Sequence, residues 1–373
     1  MRLYFSRRNF LTTGVGALLT SAQLRAQSEA VPIASVPVKE FKPRSTVALT
    51  SGDDRRKTVY NALMAIDDQI LPQLKTHKRV LIKPNDVAVT NQLACTHADA
   101  LRGILDYLAP RFKGPIAIGE SAGANTFDGF ENFKYPDVVK EYKPHNIELV
   151  DFNQEGKFVT QGLLDQDAHP VAVRLAARLF DPEAFIIGAA QLKSHNYAVV
   201  TISIKNMVLG APLHTAPKGT EKFNHKSSYH AGFHLIHYNM LATAQSLQPH
   251  WGLAVIDGHE GMEGNGPAQG TPIASKLAIA STDFVAADRV GVECMGVDPN
   301  WVGYLRYCGQ AGLGNYDLAK IDLRGTEIAQ VQKKYRLAAD VERQLRWMEP
   351  LDTDDGSWIG PRGHRTDGSP NAR

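Results

Sequence analysis

Lys193-Ser194-His195 and Lys205-Asn206 each close a β-branched apolar run within residues 185–206, FIIGAAQLKSHNYAVVTISIKN. Amines and an imidazole at such positions can hold an anion, polarise a carbonyl or move a proton. The pattern recurs along the chain. VLIKPND ends in Lys83 and Asn85, PIAIGES in Glu120 and Ser121, and IELVDFN in Asp151. LAVIDGHEGMEG delivers Asp257, His259, Glu260 and Glu263 into a glycine-rich loop. A strand buried on both faces reads as a continuous apolar run, and in an open α/β sheet ligands bind beyond the carboxyl ends of such strands. Any one polar residue after a strand is as readily part of a solvated loop. Six runs converging on Lys, His, Glu, Asp and Asn point instead to a shared cleft.

Lys193, His195, Lys205 and Asp257 are the candidate catalytic residues. Lys83, Lys193 and Lys205 would bind or polarise an anionic group. Clustered ammonium groups depress one another's pKa, so one lysine could serve as a base or Schiff-base nucleophile, and plain carboxylate or phosphate recognition is the simpler use. His195 would transfer a proton, and Asp257 with Glu260 would orient a metal or a base. Lys83, Asn85, Glu120, Ser121 and Asn206 are the expected ligand contacts. Gly264 and Gly266 join them because glycine lets backbone approach a ligand closely. The glycine spacing matches neither the dinucleotide fingerprint nor the P-loop. Residues 119–123 fit the GxSxG pattern, but residues 124–133 read as loop, so a ligand-contacting turn is expected there and not a nucleophile elbow.

Histidines crowd residues 214–237. His230 and His234 lie four apart and would share one face of a helix, a spacing suited to a metal. With Glu260 and His214 they form the candidate set for a divalent metal. A helical histidine is more often a packed or solvated residue, and no HExxH is present. The three cysteines, Cys95, Cys294 and Cys308, form no C-x-x-C pair, so there is no iron–sulfur cluster motif. Cys294 and Cys308 either pair or remain buried thiols.

Composition places the chain among globular proteins: 373 residues, 43% hydrophobic and 21% charged. Residues 1–26 read as a signal peptide, and Ser6-Arg7-Arg8-Asn9-Phe10-Leu11 resembles the twin-arginine export signal. The expected location is therefore the periplasm or another exported site, with the twin-arginine machinery as a partner. Cleavage removes four arginines and no acid, turning the formal +2 into about −2. That balance excludes a basic footprint for nucleic acid, and the mature chain is expected to have no transmembrane segment.

Residues 27–45 read as a linker, 46–330 as an α/β region, and 331–373 as a C-terminal helix with a disordered tail. Strands and helices alternate from Thr46, with a helix over 57–70 and another capped by Thr96. A binding loop is expected over 125–135, a lid over 210–224 and a helix over 229–247. Asp283 would cap a further helix, and 321–325 would form a last strand. The expected fold is α/β: a mainly parallel sheet or sheets flanked by helices, as one unit or as two lobes with a cleft at the strand carboxyl ends.

Taken together, these motifs resemble the bacterial and archaeal family designated domain of unknown function 362, over roughly residues 45–330. Its members carry a strand ending in Lys-Pro-Asn, here residues 83–85, a Lys-x-His element, here 193–195, and a strand ending in Lys-Asn, here 205–206. They continue with Asp-Gly running to Gly-x-Gly-Pro, here 257–258 and 264–267, then Ser-x-Asp and Ala-x-Asp, here 281–283 and 286–288. One branch adds ferredoxin-type cysteine motifs, which this chain lacks. The resemblance implies the fold but names no reaction. The expected function is an exported enzyme acting on a small anionic metabolite, with metal-assisted acid/base chemistry as one form. The alternative is a non-catalytic periplasmic ligand- or metal-binding or maturation protein.

Overall fold

Eleven segments form strands in the computed structural model, which describes residues 42–349 together with Ala30 and Lys39. They are β1 (Ser45–Ser51), β2 (Arg79–Lys83), β3 (Ile116–Glu120), β4 (Ile147–Asp151), β5 (Phe158–Leu164), β6 (Pro170–Ala176), β7 (Ala184–His195), β8 (Val199–Thr201), β9 (Trp251–Glu263), β10 (Thr271–Ser281) and β11 (Ile321–Gly325). Nine of them make one mixed sheet in the order β11-β1-β10-β9-β7-β2-β3-β4, with β8 on β7, while β5 and β6 pair as a separate hairpin. The run from β9 through β7, β2 and β3 to β4 is parallel. β10 is antiparallel to both β1 and β9. The expected α/β class is therefore what the chain adopts.

Alternation along each strand explains the continuous apolar runs. Val80, Ile82, Ile116, Ile118, Ile187 and Val255 enter one core. Leu81, Ala117, Ile186, Leu192 and Ile256 enter the other. Helices α1 (Arg55–Ala65) and α2 (Ala98–Leu108) cover the first core, and α3 (Ser203–Gly210), α4 (Phe233–Leu247) and α5 (Phe284–Cys294) cover the second. With both faces covered, every residue of β7 is buried.

The connections set the position of the site. From β2 the chain crosses through α2 to β3 on one side. β7 lies on the other side of β2 and continues through α3 and α4 to β9. Connections that diverge from two adjacent parallel strands open a crevice beyond their carboxyl ends, where α/β proteins bind ligands. Lys83 ends β2, and Lys193 and His195 lie at the end of β7.

Several expectations are corrected. Lys205 and Asn206 do not end a strand: they sit in the first turns of α3. The β-branched TISI looks like strand, but the buried Asp288 of α5 supplies the missing cap from a distance. Its carboxylate accepts from Ser203 N at 2.8 Å, Ile204 N at 3.0 Å and the Ser203 hydroxyl. GHEGMEG is not a loop either, because β10 pairs with β9 as far as Glu263. A Cβ at Gly258 would fall 2.6 Å from Leu277, so that glycine serves close packing within the sheet.

The expected loop 125–135 contains a helix, Thr126–Asn132, because the Asn125 side chain accepts from Phe127 N and Asp128 N. The helix expected over 57–70 breaks at Ile66 into α1 and Asp67–Leu74. His97, not Thr96, caps α2. The helix of 229–247 begins later, at Phe233. Residues 331–348 hold only short helical turns. Asp283 caps α5 as expected, through Val285 N and Ala286 N. All three cysteines are free and buried. The signal-peptide reading over residues 1–26 and the tail from 350 onward lie outside the described residues. No helix among the described residues is long and apolar enough to cross a membrane.

Asp288→Ala should expose the cost of the distant cap. Urea unfolding is expected to show a loss of about 2–4 kcal/mol, with Asp288→Asn losing less because one acceptor oxygen remains.

Candidate functional site

One hydrogen-bonded chain joins the carboxyl ends of β2 and β7. Lys83, fully buried, donates to Pro84 O at 2.9 Å, Glu120 Oε2 at 2.6 Å and Asn206 Oδ1 at 3.0 Å. Asn206 Oδ1 also accepts from Asn85 Nδ2 at 3.1 Å. Asn85 Oδ1 accepts from Lys193 Nζ, whose other acceptor is Ala94 O. Glu120 Oε1 takes Ser121 N at 2.8 Å. A Cβ on Gly210 would lie 2.0 Å from Lys83 Nζ, so only glycine lets the end of α3 settle over this amine. Lys83, Asn85, Glu120, Lys193 and Asn206 are thus brought together as expected. The bonding capacity of Lys83, Asn85, Glu120 and Asn206 is nevertheless largely spent within the protein, which suits holding the site in shape better than contacting a ligand, whereas Lys193 keeps one of its three N–H donors.

Asp86 and Tyr135 extend the chain, and the sequence pattern marks neither. Tyr135 has one hydroxyl hydrogen, which Thr96 O accepts at 2.7 Å. Asp86 Oδ1, 3.1 Å away, is the second acceptor of the same hydroxyl. Burial, with Glu120 beside it, pushes Asp86 up to about 8 against the Tyr135 hydrogen bond, so the carboxyl is mostly protonated at neutral pH. An acid beside two lysines reads from sequence as a charged partner, and only its depth in the fold neutralises it.

Lys205 is different. It is 5% exposed, and its amine has neither a hydrogen-bond acceptor nor a carboxylate partner among the described residues. Burial, then Lys193 and Lys226, bring its pKa down to about 7. Lys226, another residue that the sequence pattern does not mark, donates only to Leu209 O at 2.9 Å and is held near 8, chiefly by burial. Burial likewise lowers Lys193 to about 8.

Two histidines face this group. His195 Nδ1 accepts from Tyr197 N at 2.9 Å and Ala198 N at 3.2 Å, which places its ring hydrogen on Nε2. Burial and the Lys205 charge hold it well below its ordinary value, so it is neutral. His230 contacts Lys226 O through Nδ1 at 3.3 Å, which must donate, so its lone pair is on Nε2. Burial and Lys205 lower it to about 4. The group therefore offers a neutral N–H donor, a neutral nitrogen acceptor and an amine close to half-protonated. Among the described residues, none of the three is a fully sealed atom without a partner. The nearby acids do not balance the lysines: Glu120 is committed to Lys83, Asp86 is protonated, and Asp151 holds Asn153.

Other expected site residues lie elsewhere. Asp257 stands 3.2 Å from Arg55 and accepts from His259 N at 2.9 Å. Glu260 is exposed on β9. His214 is bonded to Asn153 at 3.1 Å, and His234 reaches Glu349 O at 2.7 Å. Glu260, His214, His230 and His234 do not converge as metal ligands. Among the described residues, the only trio with ligand atoms close enough is Asp165, Asp167 and His169, in the turn between β5 and β6. There Asp165 Oδ1 is occupied capping Asp167 N and His169 N. The Ser121 hydroxyl donates to Gly210 O or Pro212 O, each 2.9 Å away, and is no nucleophile. Gly264 O accepts from the Ser194 hydroxyl at 2.8 Å, and Gly266 O from Asn196 N at 2.9 Å. These glycines brace the Lys-Ser-His segment.

Residues 80–293, more than half of the chain, match the family model described as Domain of unknown function (DUF362). The match spans every residue of this network and Asp288. A thylakoid-associated protein of Synechocystis sp. is 26% identical over 232 residues, 61% of this chain. The chain covers 65% of that protein's length, less than two thirds. A crystal structure of a Thermotoga maritima protein aligns with a TM-score of 0.41 and 9% identity, over 55% of this chain and 51% of that one, too weak a likeness to support an argument.

Two measurements check the assignment of roles. Lys83→Met or Glu120→Gln should each cost about 3–5 kcal/mol in denaturant, and the double variant less than their sum, because a single change strands a buried charge. Lys205 runs the other way. Its folded pKa lies below the unfolded value of about 10.4, so the unfolded chain holds more protons between pH 7 and 10, and stability rises with pH there. Lys205→Met should therefore be more stable at pH 7 by about 1–3 kcal/mol and gain less from pH 7 to 10.

Proposed function

We propose, from the premise that this chain belongs to the DUF362 family, that it is an enzyme acting on a small anionic metabolite held at the carboxyl ends of β2 and β7. The observation that carries this reading is the unpaired, buried Lys205 amine, set among Lys193, Lys226 and two neutral histidines. Burying ammonium groups without matching carboxylates opposes folding. A pocket that does so gains most when an anion arrives.

The chemistry suited to these groups is acid/base work. Lys205 and Lys193 attract the anion. His195 Nε2–H donates to an oxygen on which negative charge develops, and His230 Nε2 accepts a proton. Lys205, poised near neutrality, can return one. Asp257 and Glu260 take no part in this reading, and no metal is invoked. The twin-arginine-like segment supports assigning the enzyme to the periplasm, reached through that export machinery. The second reading, a binding protein without turnover, uses the same pocket and is decided by the same experiment.

Binding of mono- and dicarboxylates and phosphorylated metabolites is to be measured by calorimetry in two buffers of different ionisation enthalpy. Anion binding should draw protons onto Lys205 and its neighbours. Affinity should thus fall as pH rises from 7 to 9, by up to about tenfold per pH unit for each proton taken up. Lys205→Met is expected to lose about 1.5–3 kcal/mol of binding. Affinity that is independent of pH, or binding without proton uptake, would refute the anion pocket. His195→Ala should lower turnover roughly 10²–10⁴-fold while changing affinity less than about tenfold. Equal loss of both would favour the binding protein.

A further inference from the structure

We infer that Lys205 is a covalent nucleophile, which condenses with the carbonyl group of a small 2-oxo or 3-oxo acid to form a Schiff base. This inference rests on the anion-pocket reading and goes beyond it by naming a bond and a substrate class.

Four lysines line or border the crevice, and three are already engaged. Lys83 has three acceptors, Lys193 two and Lys226 one. A lysine that serves structure or charge keeps such acceptors, and they hold the nitrogen protonated. Lys205 alone of the four has none, so its lone pair can be made available. Its surroundings favour that form, because neighbouring cations and burial both disfavour the ammonium ion, the established route to a nucleophilic lysine. The backbone beneath it is pinned on two sides. Asp288 caps the helix two residues earlier, and Asn206 is held by Lys83 and Asn85.

The neighbours supply what condensation needs. The amine attacks the carbonyl carbon, a C–N bond forms, and the carbonyl electron pair moves to oxygen, where His195 Nε2–H can donate. Loss of that oxygen as water then breaks the C–O bond and leaves C=N. The water carries one hydrogen from the amine and one proton from solvent, giving the iminium ion, and no oxidant or reductant is involved. His230 Nε2 can accept and return the proton moved between nitrogen and oxygen. Lys193 and Lys226, held nearer 8, remain mostly ammonium at neutral pH and suit the substrate's carboxylate. A ligand that satisfies the whole set has a carbonyl within a bond or two of a carboxylate.

The full-length chain is to be incubated with pyruvate, oxaloacetate or acetoacetate and cyanoborohydride, and the reduced adduct located by peptide mass mapping. The expected result is one adduct on Lys205, forming half-maximally near pH 7, whereas exposed lysines react only toward their ordinary value of about 10.4. Mapping the wild-type chain avoids dependence on a variant that fails to fold. Lys205→Arg adds a second arm: the charge stays, so binding should remain within about tenfold, and the adduct should vanish. An adduct on another lysine overturns the inference. So does no adduct with acids that calorimetry shows to bind with proton uptake, and in that case the non-covalent pocket survives. Acids that neither bind nor react would remove both.

Discussion

The governing constraint is the burial of ammonium groups at the carboxyl edge of a parallel sheet with too few carboxylates to match them. A charge moved out of water must be paired, hydrogen-bonded or neutralised. The chain uses all three solutions at that one edge. Lys83 is paired with Glu120 and given two further acceptors. Lys193 is hydrogen-bonded to neutral oxygens. Lys205 is left to lose its proton. That gradient separates scaffold from reactive group more sharply than residue type does.

The scaffold that maintains this imbalance is assembled from distant parts of the chain. Asp288 of α5 starts α3, and α3 carries both Lys205 and Asn206. Asn206 bridges Lys83 of β2 to Asn85, which receives Lys193 of β7. Gly210 gives Lys83 room. A buried polar network of this kind is costly if half-formed and rigid when complete, so the Lys-Pro-Asn, Lys-x-His, Lys-Asn and Ala-x-Asp elements depend on one another.

Much of the fold is legible in the sequence. The continuous apolar runs ending at Lys83, Glu120, Asp151 and His195 are strands of a mainly parallel sheet, because such strands bury both faces and announce it in composition. Asp283 is readable as a cap because its partners lie two and three residues on. The departures have physical causes. TISI reads as strand because its cap, Asp288, is 85 residues away in sequence. GHEGMEG reads as loop because what keeps it extended is pairing with β10. The Asn125 cap is different, since its signal is local and its Gly- and Phe-rich surroundings obscure it. β8 is the part of the second β-branched run that does form strand, and the β5–β6 hairpin carries too little apolar pattern to stand out.

By itself, the sequence determined which residue types stand at the ends of β2 and β7, and hence that lysine and histidine would meet at one edge of the sheet. Tertiary structure alone decided what each does there. Depth of burial protonates Asp86, neutralises His195 and His230, and lowers Lys205. Distance sends Asp257 to Arg55 and scatters Glu260, His214 and His234, and the fold brings in Lys226 unannounced. Covalent sequence records which groups are present. Protonation and partnership depend on dielectric and separation, which exist only once the chain has folded.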